Sequence, residues 1–335
     1  MGIGSLLLFA VGFVMLVGLL ISAADLNTNP SAYMEIVHKS GTVDDKIAVV
    51  PLEGMIIGVS LMGESNDIVQ RIKEQLELAA RDENVKAVIL RVDSPGGEVL
   101  ASDEINKLIA DFQRDHKNKK PVICSMASLA ASGGYYVAAP CRYIVAHELT
   151  ITGSIGVIMS GYNYRGLFDK VGVRPVVYKS GKFKDMLSGS KLPEEILPEE
   201  AAMAQQLILE SYGRFKKIVE TGRESADKLN GATGRKLDKD WASFADGRIL
   251  TGTQAYNLGF VDKLGDFDVA IAEAKRIAGI TGSPTIVRYE QPFTFGNFFK
   301  LLGKAEPAKV KIDIGMDAPS LKPGRMYFLP TMFTY

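Results

Sequence analysis

Apolar residues are spread unevenly along the chain. Ile3 to Ala24 is a run of 22 residues without a charge. At a helical rise of about 1.5 Å per residue it covers roughly 33 Å, enough for a bilayer core. The pattern predicts a transmembrane helix within residues 1–24, read as an uncleaved single-pass anchor. Ser22-Ala23-Ala24 also resembles a leader cleavage site, but no charged stretch precedes the run and it exceeds the usual length of a leader's apolar region. Residues 25–45 are polar, contain Pro30 and Gly41, and read as a stalk or linker.

From Lys46 a regular alternation begins. Ile47–Leu52 is a short apolar run with β-branched residues and predicts a strand. Ile68, Ile72, Leu76 and Ala80 recur every four residues, one face of a helix. Val85–Val92 predicts a second strand, the Ile105, Leu108, Ile109 and Phe112 series a second helix, and Pro121–Met126 a third strand. Strands alternating with helices at this spacing imply an α/β fold with mainly parallel strands. Further strands are predicted at Tyr143–Ala146, Ile155–Met159 and Arg174–Tyr178. A helix over Gly133–Ala139, a long helix through Met203, Leu207, Tyr212, Phe215 and Val219 that ends near Gly222, and a last helix over Val269–Ala278 complete the pattern. The expected folded domain is therefore residues 46–279, with 280–335 a Pro-containing C-terminal extension. Its end, Met326–Tyr335, admits three readings: an unstructured tail, a segment packed on a neighbour, or a self-substrate.

Composition narrows the function. With 47% hydrophobic and 23% charged residues the chain is a folded protein. Lys+Arg and Asp+Glu are both 39, a formal net charge of zero, which argues against nucleic acid as the main partner. Two cysteines, Cys124 and Cys141, are too few for a disulfide scaffold and read as buried free thiols. No HExxH, GxxxxGK[ST] or GxGxxG occurs, so neither a metal nor a cofactor is expected. There are only three histidines, so imidazole catalysis must use His38, His116 or His147.

The chemistry lies in the loops. Asp93-Ser-Pro-Gly-Gly joins a strand to a helix, and its glycines let main chain approach a ligand and aim the Gly97 N–H at an anionic oxygen. Read alone, it is also an ordinary strand-to-helix turn. Ser132 stands between Ala130-Ala131 and Gly133-Gly134 at the start of a helix, where small neighbours leave room for a carbonyl and the helix end favours an oxyanion. The bland alternative is a helix N-cap. Two bases are open to it. His147 would make a Ser/His pair, whereas Tyr178-Lys-Ser-Gly-Lys-Phe-Lys-Asp supplies Lys179, Lys182 and Lys184. A lysine base must be neutral, which requires its pKa to fall about three units from 10.4. Without such desolvation the segment is a solvated basic turn.

Together, Asp93-Ser-Pro-Gly-Gly, Ala130-Ala-Ser-Gly-Gly-Tyr-Tyr, Thr152-Gly-Ser-Ile-Gly-Val and Lys179-Ser-Gly-Lys-Phe-Lys-Asp resemble the signal peptide peptidase A family of membrane serine proteases. Ala245-Asp-Gly-Arg-Ile-Leu-Thr-Gly through Lys263-Leu-Gly is similar to the same family's C-terminal segment, so the resemblance runs from about Lys46 to Ile280 in matching order. It implies a ClpP/crotonase-like fold and a Ser/Lys dyad in which Ser132 is the nucleophile and Lys184 the base. It further implies that Ser154 orients the lysine amine and that Gly97 and Gly133 form the oxyanion hole. It gives His147 no role.

The chain matches the short form without the tandem duplication. The expected assembly is thus a dome-like homo-oligomer, an octamer among the candidates, with the dyad shared between subunits. Implied substrates are cleaved signal peptides and other apolar segments, processed outside the cytoplasm at the lipid bilayer. Two other classes fit the same fold: an acyl-CoA enzyme using only the glycine amides, and an inactive oligomeric membrane scaffold.

Overall fold

The computed structural model describes residues 33–58, 67–117, 119–291 and 326–328. In chain order its first elements are β1 (Met34–Lys39), β2 (Lys46–Glu53), α1 (Ile68–Arg81), β3 (Val85–Ser94), β4 (Gly97–Glu98), α2 (Val99–Asp115), β5 (Val122–Ala131), α3 (Gly133–Ala138), β6 (Tyr143–Ala146) and β7 (Ile151–Gly153). Then follow α4 (Arg165–Lys170), α5 (Pro198–Asn230), β8 (Ile249–Thr251), α6 (Gly252–Asn257), β9 (Lys263–Leu264), α7 (Phe267–Ala278), β10 (Thr285–Glu290) and β11 (Tyr327–Phe328). The expected anchor over residues 1–24 lies outside the described residues. Among the described residues no helix is long and apolar enough to cross a membrane.

The described residues fall into two compact units, one of residues within 39–286 with 326–328, the other of residues 33–38 with 287–291. The second unit holds most of β1, which falls in the expected stalk and neighbours β10 in the strand order. In the first, β2, β3, β5, β6 and β9 lie side by side and all parallel. The mixed α/β architecture with a mostly parallel sheet is thus present.

These strands are buried on both faces, which is why they read as continuous apolar runs. On one face Ile47, Val49, Ala87, Ile89, Ile123 and Val145 pack with Ala270 and Ala274 of α7. Helix α1 packs on β2 and β3, and α3 on β3 and β5. Helix α1 begins where Asp67 accepts from the Val69 and Gln70 amides at 2.9 and 3.3 Å. Its inward stripe is Ile68, Ile72, Leu76 and Ala79, one residue off the predicted Ala80.

Three predicted elements are corrected. Ile155–Met159 is not a strand: Ile158 makes only an isolated bridge, and the strand of this region is β7. Arg174–Tyr178 is irregular, and its apolar side chains face outward, with Val176 74% and Tyr178 95% exposed. A β-branched run forms a strand only where a neighbouring strand accepts its ladder bonds, and none is beside it among the described residues.

Helix α5 does not end near Gly222 but continues to Asn230. A Cβ on Gly222 would overlap the Ala139 carbonyl oxygen and come 3.2 Å from the Pro140 nitrogen. The glycine therefore marks a close crossing, not a stop. Gly222→Ala removes a helix-interior glycine, a gain of about 1 kcal/mol in propensity, but overpacks a backbone contact at a cost of about 1–3 kcal/mol. The variant is expected to melt lower than the parent in thermal denaturation, and an increase would mean the crossing is loose.

Beneath α5 lies a buried ion pair between Arg223 and Asp262, with side chains 0% and 1% exposed. Arg223 also donates to the Cys141 carbonyl at 3.3 Å, and Asp262 accepts the Ile144 and Arg235 amides at 2.8 and 3.1 Å. Cys124 and Cys141 are both buried and free. Burial, with the neighbouring Cys141 thiol, pushes the Cys124 thiol far up and keeps it protonated.

Candidate active site

The site sits where β3 and β5 end. After β3, the Ser94 hydroxyl accepts the Gly96 amide at 3.1 Å, and Asp93 accepts the Leu129 amide at 3.1 Å, which ties the Asp93–Gly97 turn to β5. Gly97 is then pressed against Ile56: the Glu98 amide donates to the Ile56 carbonyl at 2.7 Å, and the Ile56 amide donates to Gly96 at 2.8 Å. A Cβ on Gly97 would overlap the Ile56 carbonyl oxygen, and one on Gly133 would stand 3.0 Å from the Gly97 nitrogen. The two glycine backbones converge because neither carries a side chain.

Ser132 lies at the junction of β5 and α3. Its φ of 52° and ψ of −115° are outside the regions a serine prefers, a cost of about 1–3 kcal/mol that surrounding structure must offset. Its amide donates to the Gly153 carbonyl at 2.8 Å, and its carbonyl accepts the Tyr136 amide at 2.8 Å. The side chain does not cap the helix, so the N-cap alternative fails. The hydroxyl is buried without a hydrogen-bond partner.

Among the described residues, four other than glycine have positive φ: Lys117, Ser132, Ser154 and Leu187. Two of these are the motif serines, side by side through the β5–β7 ladder in which Ala131 faces Gly153. The Ser154 amide donates to the Arg248 carbonyl at 2.7 Å, and Thr152 donates its hydroxyl to Ala130 at 2.7 Å. Ser132, Ser154, Gly97 and Gly133 are thus brought together by three strand ends and one short helix.

Among the described residues, no lysine donates to the Ser132 hydroxyl. Lys179 holds both Asp185 oxygens at 2.9 Å, and Lys182 holds Glu199 at 2.9 Å. Asp185 also accepts from the buried Lys191 at 3.3 Å, and Lys191 donates to the buried Glu200 at 2.6 Å. These ammonium groups hold the Asp185 carboxyl below its ordinary range, Lys179 first. Lys184 is exposed and makes no such pair. It stands on a segment rich in exposed apolar side chains, among them Tyr162, Leu167, Val171, Val176, Tyr178 and Leu187.

His147 is also exposed, and its Nδ1 accepts the Leu149 amide at 3.1 Å. One further segment lies beside Gly97, residues 326–328, from the stretch whose three readings the sequence left open. Strand β11 runs antiparallel to β4, with Tyr327 opposite Glu98 and Phe328 opposite Gly97. The only signal was an aromatic cluster, Met326-Tyr-Phe, beyond a Pro-containing stretch.

Gly97→Ala should lose at least about 10²-fold in peptidase turnover, because its new methyl must push the backbone off Ile56 and misaim the amide expected to face an oxyanion. Turnover of a chromogenic peptide measures it, and parental turnover would exclude Gly97 from the site.

A buried, strained serine with a free hydroxyl beside converging glycine backbone, on a mostly parallel α/β sheet, is the arrangement of a serine peptidase. The chain belongs to peptidase family S49, whose family model matches residues 114–281. It is 36% identical over 263 residues to a putative signal peptide peptidase SppA of Enterococcus faecium, covering 76% of this chain and 70% of the relative. It is 39% identical over 236 residues to a putative protease of Synechocystis, covering 70% and 75% respectively. Protease 4 of Haemophilus influenzae is 35% identical over 241 residues, 70% of this chain but 35% of that one.

Proposed function

We propose that the protein is a membrane-anchored endopeptidase with a Ser132/Lys184 dyad that degrades remnant signal peptides and other apolar segments. The observation that carries this reading is the buried Ser132 hydroxyl, strained and unpartnered beside Gly97 and Gly133. In this mechanism neutral Lys184 takes the Ser132 proton as Oγ attacks a peptide carbonyl. The Gly97 and Gly133 amides hold the oxyanion, and Lys184 returns the proton to the departing amine. Water, deprotonated by the same lysine, then attacks the acyl-serine and frees the acid. Ser154 directs the amine, the role a carboxylate has for histidine.

Lys184 is favoured over its neighbours because Lys179 and Lys182 are already engaged in ion pairs with Asp185 and Glu199. Its exposure in a single chain agrees with a site completed by a second copy. Closure of the apolar segment around Tyr162–Leu187 would supply the desolvation that a lysine base needs. The run Ile3–Ala24 would anchor the assembly in the bilayer, with the catalytic domain extracytoplasmic.

Fluorophosphonate labelling of the detergent-solubilised full chain tests the reading. Peptide mapping is expected to find the adduct on Ser132, lost in Lys184→Ala and kept in His147→Ala. An adduct elsewhere, or labelling that needs His147 and not Lys184, would overturn it.

A further inference from the structure

Resting on the reading of Lys184 as base, we infer that Asp185 is the positioning residue of that lysine. Gripped by Lys179 and Lys191, it fixes the turn that presents the amine and keeps the charge beside it balanced. The turn is short. The Lys184 amide donates to the Gly181 carbonyl at 3.2 Å, the Met186 amide to Phe183 at 3.0 Å and the Ser188 amide to Asp185 at 3.2 Å. Leu187 closes it with a φ of 64°, a backbone region that a leucine seldom adopts. Such a conformation persists only where surrounding structure holds it.

What holds this turn is a chain of four charges. Lys179 donates to both Asp185 oxygens at 2.9 Å, and Lys191 donates to the same carboxylate at 3.3 Å and to Glu200 at 2.6 Å. The Lys191 and Glu200 side chains are 8% and 2% exposed. Glu200 stands in the first turn of α5, so the buried pair ties the Lys184 turn to a 33-residue helix. From the other side, the Tyr164 amide donates to the Gly189 carbonyl at 2.8 Å, and the Asn163 side chain donates to the Lys191 carbonyl at 3.0 Å. The turn is therefore fastened within one chain, before a second copy meets it.

The four charges sum to zero. Lys184 directly precedes Asp185, so the two charged groups lie within about a Debye length, roughly 10 Å. A lone carboxylate there would hold the amine protonated, whereas a base must be neutral. Lys179 and Lys191 cancel that field. The Glu200 hydrogen bond holds the Lys191 ammonium above its ordinary range, so it stays charged while the base titrates. Other charged groups of the fastened elements are engaged or exposed. Lys182 pairs with Glu199, Arg165 with Asp169, and Glu195 accepts the Leu192 amide, while Lys170, Arg174 and Glu194 are exposed. Around Ser132, which the amine must reach, Asp93 and Glu98 accept the Leu129 and Gly58 amides, and Arg248 pairs with Asp246. All of these are the same in every variant below, so differences between variants belong to the four-charge chain.

The experiment uses the full chain in detergent and a quenched peptide without ionisable side chains, with kcat/KM followed against pH. The acid limb reports deprotonation of the base in the free enzyme. Asp185→Asn keeps an acceptor for Lys179 but leaves two ammonium groups beside Lys184, so its proton leaves more easily. The limb is expected to move down by about 0.5–1 pH unit. Lys191→Met leaves Asp185 and Glu200 in excess, and the limb should move up by about as much. Lys191→Arg keeps the charge and should keep the parental limb. Lys191→Met with Glu200→Gln leaves no buried carboxylate without its partner, and should bring the limb back toward the parent. Opposite shifts from the two partners of one ion pair cannot come from damage to the fold. Lower rates with an unmoved limb, or shifts of the same sign, would overturn the proposal. Fluorophosphonate labelling of Ser132 that needs Lys184, with the limb unmoved, defeats this inference alone. Labelling that survives Lys184→Ala defeats the dyad and this inference with it.

Discussion

Ser132→Ala is expected to reduce peptidase turnover by at least about 10⁴-fold, to what oriented binding and the amide donors can still supply. Lys184→Ala should fall to a similar level. In the proposed dyad nucleophile and base act in one step, so the double variant should be no slower than either single one. Lys182→Ala, which only frees Glu199 on the surface, should stay within a few-fold of the parent. If the dyad is shared between copies, mixing Ser132→Ala and Lys184→Ala protomers restores activity in the fraction of sites that receive both wild-type groups. Initial rates on a quenched peptide before and after subunit exchange read this out. Verified exchange without recovery would confine the dyad to one chain.

The second large effect is on stability. Arg223→Met leaves Asp262 buried without its counter-charge, and removing one partner of such a pair costs about 3–5 kcal/mol. For a domain of this size the melting temperature should fall by roughly 2–4 °C per kcal/mol. Asp262 also accepts two backbone amides, so Arg223→Met combined with Asp262→Asn should recover part of the loss. Differential scanning calorimetry gives the comparison. A single variant as stable as the parent would show that the pair contributes little beyond packing.

The alternation of β2, α1, β3, α2 and β5 was legible because burial imposes a period on side chains, and the period survives in the sequence. Where apolar residues serve another purpose the same signal misled. Val176 and Val177 have the β-branched character of a strand yet face outward on the segment that carries Lys184. Gly222 looked like a helix end because a missing side chain at a stop and one at a close crossing look alike in sequence.

For the site, the motifs around Gly97, Ser132, Gly133 and Ser154 were visible as small residues and turns, since backbone that must approach other backbone tolerates little else. Their convergence was not visible. It comes from the parallel register of β3, β5 and β7, which sets residues far apart in sequence at one edge.

By itself the sequence determined the α/β class, the residues of the candidate motifs, the scarcity of histidine that turned attention to lysine, and the 22-residue apolar run. These are properties of local pattern and residue chemistry. Only the tertiary structure decided that Ser132 is strained and uncapped, that Lys179 and Lys182 are already paired while Lys184 is not, and that Phe328 lies opposite Gly97. Each of those depends on contacts across the chain, between groups whose separation in space has no trace in their separation along it.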